Sequence, residues 1–248
     1  MDRRSLLMGM ASDSAVVTGN SATLAKILLM AVWALALPLF LISTNLRWVT
    51  LDLSTYTTGF ARYRAAERTG INPAELERIG REFIEFFKGN RTEMQVAAQT
   101  PSGVRPLFNT REVQHMDDVR NLMNVFFKAQ PIAGVALVLA LVTAFLLFRR
   151  DSVGTIQAMI LAGVGSTLLL AVLVGGLSML DFESLFIQFH MLSFSNDLWQ
   201  LDPRTDYLLI LYPEPFWLDV TLRIAWMTVI EILALAGAAW LLPKWKMA

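Results

Sequence analysis

The chain contains no cysteine and only two histidines, His115 and His190. The absence of cysteine excludes disulfides, thiolate metal sites and a cysteine nucleophile. Charge is also scarce, since 21 basic and 21 acidic residues cancel and charged residues make up 17% of the chain. Without a basic excess, nucleic acid is not an expected partner. A hydrophobic fraction of 55% in 248 residues points instead to a membrane protein.

Four stretches are apolar for long enough to suggest membrane-spanning helices: residues 24–43, 132–148, 155–177 and 222–242. We therefore predict an all-α membrane protein with four transmembrane helices. The third stretch carries small residues at helical spacing for close packing, namely Ala158, Ala162 and Ser166. The fourth contains Glu231, which should face the helix bundle because exposing a carboxylate to lipid is costly.

The positive charges predict which side of the membrane each segment faces. Four spans place both termini and the short connector 149–154 on one side. The basic residues of that side are Arg3, Arg4, Arg149, Arg150, Lys244 and Lys246. By the positive-inside rule, residues 1–23 and 243–248 are cytoplasmic in a bacterial plasma membrane. The two long loops, residues 44–131 and 178–221, then form a mixed extracytoplasmic cap.

Local signals predict several elements within the first long loop. After an aromatic and β-branched stretch from Leu51 to Tyr56, Asn72 followed by Pro73 marks a helix start. That helix has an amphipathic face and ends at Gly89; the apolar residues of the face are Leu76, Ile79, Phe83 and Phe86. A short strand at Glu93–Gln99 and a turn at Pro101–Gly103 follow. A second helix begins near Asn109 or Thr110 and runs toward Phe127, and Pro131 breaks or kinks it.

The second long loop differs from the first in charge. It carries seven acids against one arginine, whereas the first carries twelve basic residues against ten acids. The two loops could therefore dock on each other, although most of these charges also fit solvated faces that contribute little energy. Within this loop, Leu208–Tyr212 is interpreted as a buried strand or an interfacial segment, and Pro213–Pro215 as a turn back to the bilayer.

Both histidines lie in the predicted extracytoplasmic loops, each beside a span. His115 and Asp118 are three residues apart and share a helix face, so the carboxylate could orient the imidazole. His190 lies among aromatic residues. Each has a simpler interpretation, a solvated helix face for His115 and a packed interfacial histidine for His190. Because an unperturbed imidazole titrates near neutral pH, two that converge at the membrane surface would suit proton transfer.

Other chemistries have weaker signals in this sequence. A zinc site would need both histidines and distant carboxylates such as Asp118, Asp197 or Glu214, because no H-E-x-x-H spacing exists. A serine nucleophile lacks its G-x-S-x-G elbow. General acid–base catalysis without a cofactor is the first hypothesis, and a metal-dependent membrane hydrolase is the second. A non-enzymatic envelope scaffold or assembly protein is the third.

A family resemblance rests on short blocks that occur in a fixed order. They are His115-Met116-Asp117-Asp118-Val119, Phe189-His190, Asn196-Asp197-Leu198-Trp199, Leu201-Asp202-Pro203, Asp206 and Tyr212-Pro213-Glu214-Pro215-Phe216. Together with the four-span layout, these blocks resemble the bacterial lipoprotein intramolecular transacylase and related integral membrane proteins. The resemblance covers both long loops, hence most of the chain.

The resemblance implies an acyltransferase that acts on lipoproteins. Such an enzyme moves an acyl chain from the diacylglyceryl group to the α-amine of the same N-terminal cysteine, so its partners are a diacylated lipoprotein N-terminus and membrane phospholipid. The family's two outer histidines match His115 and His190, and Asp118 would support them. The candidate substrate-binding residues are Asn196, Asp197, Trp199, Tyr212 and Glu214.

Overall fold

The computed structural model describes the backbone of residues 3–242 and the side chains of residues 20–242 apart from Arg150. Several residues used to predict sidedness therefore lie outside the described part: residues 243–248, with Lys244 and Lys246, and the side chains of Arg3, Arg4 and Arg150.

Helices dominate the described residues. In chain order they are α1 (Arg3–Leu51), α2 (Leu53–Arg62), α3 (Ala65–Thr69), α4 (Pro73–Phe87), α5 (Thr110–Phe148), α6 (Ser152–Leu180), α7 (Phe182–Ser193), α8 (Tyr207–Leu211) and α9 (Glu214–Leu241). A 3-10 turn, Arg149–Asp151, joins α5 to α6. Two short strands between α4 and α5, β1 (Ala97–Thr100) and β2 (Gly103–Pro106), form an antiparallel hairpin in which Ala97 pairs with Pro106.

Four of the described helices are long and apolar enough to cross a membrane, which confirms the predicted fold class, while the exact bounds of the spans stay a prediction. They are residues 20–51 of α1 and the whole of α5, α6 and α9. Each helix begins before its apolar stretch, because hydropathy marks only the part that needs lipid while the backbone can remain helical through polar residues. Of the break or kink predicted at Pro131, the break is wrong, since α5 continues through Pro131 to Phe148. A proline removes one backbone hydrogen bond, and neighbouring groups can make up for this loss.

Among the described residues, one compact unit comprises residues 3–40, 132–169 and 231–242. Within it α1 and α6 approach closely. The Ser166 hydroxyl donates a hydrogen bond to the Ala34 carbonyl at 2.7 Å, and a Cβ added at Gly163 would lie only 2.8 Å from the Leu37 side chain. Small residues on α6 therefore permit this helix contact, as expected of the stripe that includes Ser166.

The other compact unit comprises residues 41–131 and 170–230. Its helix α4 begins where predicted, because the Asn72 side chain accepts a hydrogen bond from the Glu75 backbone N–H at 2.9 Å. The predicted apolar face is buried in an aromatic-rich core; its residues are Leu76, Ile79, Phe83 and Phe86. The helix ends at Phe87, and Gly89 adopts a positive φ of 85°, a conformation that glycine takes without strain.

Two local predictions in this unit need correction. Leu208–Tyr212 is not a strand, since it largely coincides with the short helix α8. Leu208 and Leu211 are both buried, and their spacing of three residues suits one face of a helical turn. The strand predicted at Glu93–Gln99 is observed at Ala97–Thr100, because the hairpin register depends on its turn and its pairing partner.

The two predicted loop segments contact each other through ion pairs as well as through the core. Arg111 pairs with Asp197 at 3.3 Å, and Arg62 pairs with Asp219 at 2.9 Å. These side chains are well exposed, so each pair contributes little to stability. Burial of Leu208, Leu211 and Tyr212 in the common core accounts for more of the association.

Candidate active site

A cavity of about 140 Å³ lies within the second unit. Its lining comes from seven helices and from the segment after α7, and it is mostly aromatic and aliphatic. Both histidines of the chain line it, together with Phe186, Trp199, Tyr212 and Trp217. A dry apolar cavity of roughly 150 Å³ can bind benzene, so this one can accept several carbon atoms of a ligand. The site therefore combines room for an apolar group with two titratable side chains.

His115 is positioned by the start of α5. The helix begins with a capping box in which Asn109 and Glu112 each accept a hydrogen bond from the other's backbone N–H, at 3.0 and 2.7 Å. One helical turn later His115 is 6% exposed. Its Nδ1 is buried and has no hydrogen-bond partner among the described residues. A buried polar atom of this kind is costly and is common where a ligand completes the site.

His190 is positioned by α7. The Asp181 side chain caps this helix by accepting a hydrogen bond from the Ser184 N–H at 3.0 Å. Phe182, Phe186 and His190 recur every four residues and share the inward face. The Nδ1 atom of His190 lies 2.7 Å from the Phe186 carbonyl oxygen. Because a carbonyl can only accept, Nδ1 carries the proton, and Nε2 of the neutral ring holds the lone pair.

The surroundings of His190 favour its neutral form. Burial lowers the pKa of His190 below its ordinary value, and the hydrogen bond to Phe186 opposes this effect only in part. Aromatic rings enclose the imidazole, with Phe186 at 4.3 Å and Trp199 at 5.2 Å between ring centroids. His190 is therefore set up to accept a proton through Nε2.

The structure brings the two histidines together although 75 positions separate them in the sequence. Their ring centroids are 5.9 Å apart, and Phe194 contacts both rings, at 5.3 Å from His115 and 5.6 Å from His190. A group bound between the imidazoles would be within reach of both, so one histidine could take a proton while the other gives one.

Asp118 and the segment after α7 surround this pair. The Asp118 carboxylate accepts a hydrogen bond from the Asn196 side-chain amide at 2.8 Å, and the Asn196 backbone carbonyl accepts one from the Trp199 indole at 3.0 Å. Asp197 is exposed and pairs with Arg111. These contacts attach the segment to α5 and hold Trp199 against His190.

The remaining predicted site residues, Tyr212 and Glu214, differ in position. Tyr212 lines the cavity, and its buried hydroxyl has no hydrogen-bond partner among the residues that the structure describes. Burial and the nearby Tyr56 hydroxyl raise the pKa of Tyr212 well above its usual range, so this hydroxyl stays protonated. Glu214 is exposed at the start of α9, and like Asp197 it is absent from the cavity lining. A role of Asp197 or Glu214 in substrate binding stays a prediction.

Sequence reasoning missed Glu112. Its side chain is 1% exposed and accepts hydrogen bonds from the backbone N–H groups of Asn109 and Leu208, both at 2.7 Å. It thereby joins the start of α5 to the start of α8, one turn from His115. The spacing Asn109-x-x-Glu112 is a capping-box pattern and could have located the helix start, but the contact with Leu208 is long-range.

The geometry also bears on the metal hypothesis. Among the side chains that the structure describes, no group of three His, Cys, Asp or Glu lies close enough together to hold a metal ion. A metal-dependent reaction would need ligands that these residues do not assemble.

Known proteins share both the sequence pattern and the fold. The family described as lipoprotein intramolecular transacylase Lit matches residues 31–217. An uncharacterized protein of Aquifex aeolicus is 32% identical over 162 residues, which cover 64% of this chain and 68% of that protein.

Solved structures of the membrane-integral lipoprotein intramolecular transacylase Lit from Bacillus cereus have a similar fold. One aligns with a TM-score of 0.73 at 18% identity and covers 88% of this chain and 95% of that one. Another, of a variant with one histidine replaced by alanine, aligns with a TM-score of 0.71 at 17% identity and covers 92% and 96% of the two chains.

Proposed function

Since this chain belongs to the lipoprotein intramolecular transacylase family, we propose that it transfers an acyl chain within a bacterial lipoprotein. The donor is an ester of the diacylglyceryl group, and the acceptor is the α-amine of the same N-terminal cysteine. The observation that carries the proposal is the pair of imidazoles, 5.9 Å apart in an apolar cavity. Because donor and acceptor belong to one molecule, the enzyme needs no nucleophile of its own.

The reaction requires proton transfer at three points. The substrate ammonium, with a pKa of roughly 7.7–8.0, first loses a proton so that its nitrogen can attack the ester carbonyl. A C–N bond forms, the carbonyl oxygen becomes an oxyanion, and the nitrogen, now positively charged, loses a second proton. When this intermediate collapses, the ester C–O bond breaks and the glyceryl oxygen leaves with a proton. The products are an N-acylated cysteine and a monoacylglyceryl group.

The histidines divide these tasks according to their hydrogen bonds. His190 receives the proton from the amine at Nε2, because its Nδ1 already donates to Phe186. His115 takes the second proton from the nitrogen at its Nδ1, which has no partner among the described residues, and passes it to the glyceryl oxygen. Burial of the His115 ring and the neighbouring His190 favour its neutral form, and the Asp118 carboxylate, one helical turn away, stabilises the imidazolium that forms during the transfer.

The oxyanion needs a hydrogen-bond donor, and Tyr212 is the candidate. Its hydroxyl lines the cavity, stays protonated and lacks a partner among the described residues. A donor already held in an apolar site stabilises developing negative charge with little reorganisation. The Asn196 amide is less available, because it donates to Asp118.

We place this site on the extracytoplasmic side of the bacterial plasma membrane, with both termini in the cytoplasm. The support is the charge asymmetry of the sequence. The second long loop carries Arg204 as its only basic residue, whereas the termini and the short connector are rich in arginine and lysine. The first long loop carries twelve basic residues, but loops longer than about 60 residues are translocated largely regardless of charge.

Mass spectrometry of a diacylated lipopeptide incubated with the purified protein tests the proposal. We expect the acyl group to move to the N-terminal amine at unchanged total mass. His115→Ala and His190→Ala should each slow transfer by roughly 10²-fold or more, as expected on loss of a general acid or base. His190→Asn can still donate to the Phe186 carbonyl but cannot titrate, so it should restore little activity.

The chain offers a matched control for the tyrosine. Tyr212→Phe should slow transfer by roughly 10-fold or more if the hydroxyl stabilises the oxyanion. Tyr207→Phe removes a hydroxyl that instead accepts a hydrogen bond from Arg105 at 2.6 Å at the surface, and it should have little effect. Release of free fatty acid would indicate a hydrolase. Full activity of either histidine variant would refute the proton-transfer scheme.

A further inference from the structure

Helix α7, Phe182–Ser193, has two different apolar faces. The inward face carries His190 and packs against the core of the cavity. The outward face presents Ile187, Met191 and Leu192, which are 38%, 60% and 87% exposed. An exposed apolar face of this kind needs a cover, because water is a poor solvent for it.

The sequence of α7 suits lipid as that cover. From Ser184 to Asn196 there is no aspartate, glutamate, lysine or arginine. The preceding helix α6 is one of the four candidate spans, and it ends at Leu180, two positions before α7 begins. The last turn of α6 exposes Leu177, Met179 and Leu180. The outward face of α7 is thus continuous along the chain with a surface that lipid covers.

Phe189 lies at the border between this face and the cavity. Its ring lines the cavity and makes an edge contact with His190 at 5.3 Å between centroids. The same residue is 44% exposed on the outside of α7. Phe194, 6.5 Å from Phe189, lines the cavity next to it. These two rings are the side chains that a lipid tail would meet between the outward face and the histidines.

We propose that α7 lies in the membrane interface with its outward face among lipid acyl chains, and that the acyl chain to be transferred enters the cavity sideways past Phe189. The second part rests on the proposed function and specifies how a substrate that never leaves the membrane reaches the two histidines. An entry from the lipid side keeps the acyl chain in an apolar environment along its whole path.

Spin labelling tests the position of α7 without reference to catalysis. In this cysteine-free chain, Leu192→Cys and Met191→Cys can each carry a single nitroxide in protein reconstituted into phosphatidylcholine–phosphatidylglycerol vesicles. We expect both labels to be more accessible to oxygen, which concentrates in lipid, than to a water-soluble nickel chelate. Arg204→Cys, at an exposed polar position, is the control and should show the reverse order. Labels at Leu192 and Met191 that behave like the control would overturn the placement.

A comparison of two substrates tests the entry path. Leu192→Asp places a charge where lipid is expected, and a charge in lipid is costly. This variant should therefore slow acyl transfer by about 10-fold or more when the substrate is a long-chain diacylated lipopeptide embedded in vesicles. A short-chain lipopeptide dissolved in water does not need the lipid path, so its transfer should change less than about twofold. Leu192→Met preserves the apolar contact and should behave like the wild type with both substrates.

The outcomes separate this inference from the proposed function. Equal losses with both substrates, or no loss with either, would overturn the entry path while leaving the transacylase function intact. If the wild-type protein transferred neither acyl chain, the proposed function and the entry path would both fail. The label accessibilities would still decide where α7 lies.

Discussion

The hydrogen bond from the Leu208 N–H to the Glu112 carboxylate, which sequence reasoning missed, can be tested quantitatively. In the Glu112→Ala variant the Leu208 N–H loses its acceptor inside the core, which costs about 1–3 kcal/mol for an unpaired buried donor. Loss of the capping box with Asn109 adds about 1 kcal/mol. Relief of carboxylate burial offsets part of this cost. We therefore expect the free energy of unfolding to fall by roughly 2–3 kcal/mol.

Glu112→Gln provides an intermediate step. The remaining amide oxygen can still accept from Leu208, but the new NH₂ group cannot accept from Asn109. The expected loss is about 1 kcal/mol, close to that of a missing cap. Glu77→Ala is the matched control, because Glu77 pairs with Arg81 on the exposed side of α4 and such a pair contributes about 0.3–0.5 kcal/mol.

Two measurements report on this contact. Denaturant unfolding in mixed micelles ranks the three variants by stability. Hydrogen exchange reports on the contact itself, because the Leu208 amide should exchange about 30-fold faster in Glu112→Ala if roughly 2 kcal/mol of protection is lost. If Glu112→Ala were no less stable than Glu77→Ala and Leu208 kept its protection, the assignment of this contact would be refuted.

Two further predictions concern His190 and the orientation of the chain. Burial lowers the pKa of His190, so below about pH 6.5 the folded protein binds fewer protons than the unfolded chain. Protonation of this histidine therefore favours the unfolded chain, and the folded state becomes progressively less stable as pH falls. Below pH 6.5 the free energy of unfolding of the wild-type protein should fall relative to that of His190→Asn by up to roughly 1.4 kcal/mol per pH unit. Equal pH dependence of the free energy of unfolding in the two proteins would contradict this. For orientation, a membrane-impermeant maleimide should label Ser195→Cys in intact cells and Asn20→Cys only after permeabilisation; the reverse pattern would invert the assigned topology.

Local sequence patterns were sufficient for the elements whose causes are local. Four apolar stretches predict four spans, because a hydrocarbon layer requires about twenty apolar residues wherever a helix crosses it. Asn72 followed by Pro73 predicts the start of α4, because the cap and the proline act within one turn. The residue blocks around His115 and His190 were likewise sufficient to suggest the family, which the family match over residues 31–217 confirms.

Other features depend on neighbours that are distant in sequence. Leu208–Tyr212 is too short for periodicity to separate strand from helix, and its partner Glu112 lies 96 positions away. The continuation of α5 through Pro131 depends on surroundings that compensate for one missing hydrogen bond. The same limit applies to Glu112, whose capping pattern is local while its burial is not.

The candidate site shows the same division. Residue chemistry together with the predicted sidedness selected His115 and His190, since a chain with two histidines and no cysteine has few groups that titrate near neutral pH and both lie beside spans in the predicted outer loops. The tertiary structure decides their separation of 5.9 Å and the hydrogen bond that leaves Nε2 of His190 as the acceptor. It also decides that the Tyr212 hydroxyl is buried with no hydrogen-bond partner among the described residues. Side-chain chemistry belongs to each residue, whereas proximity and burial arise only when α5, α7, α8 and the segments between them pack around one cavity.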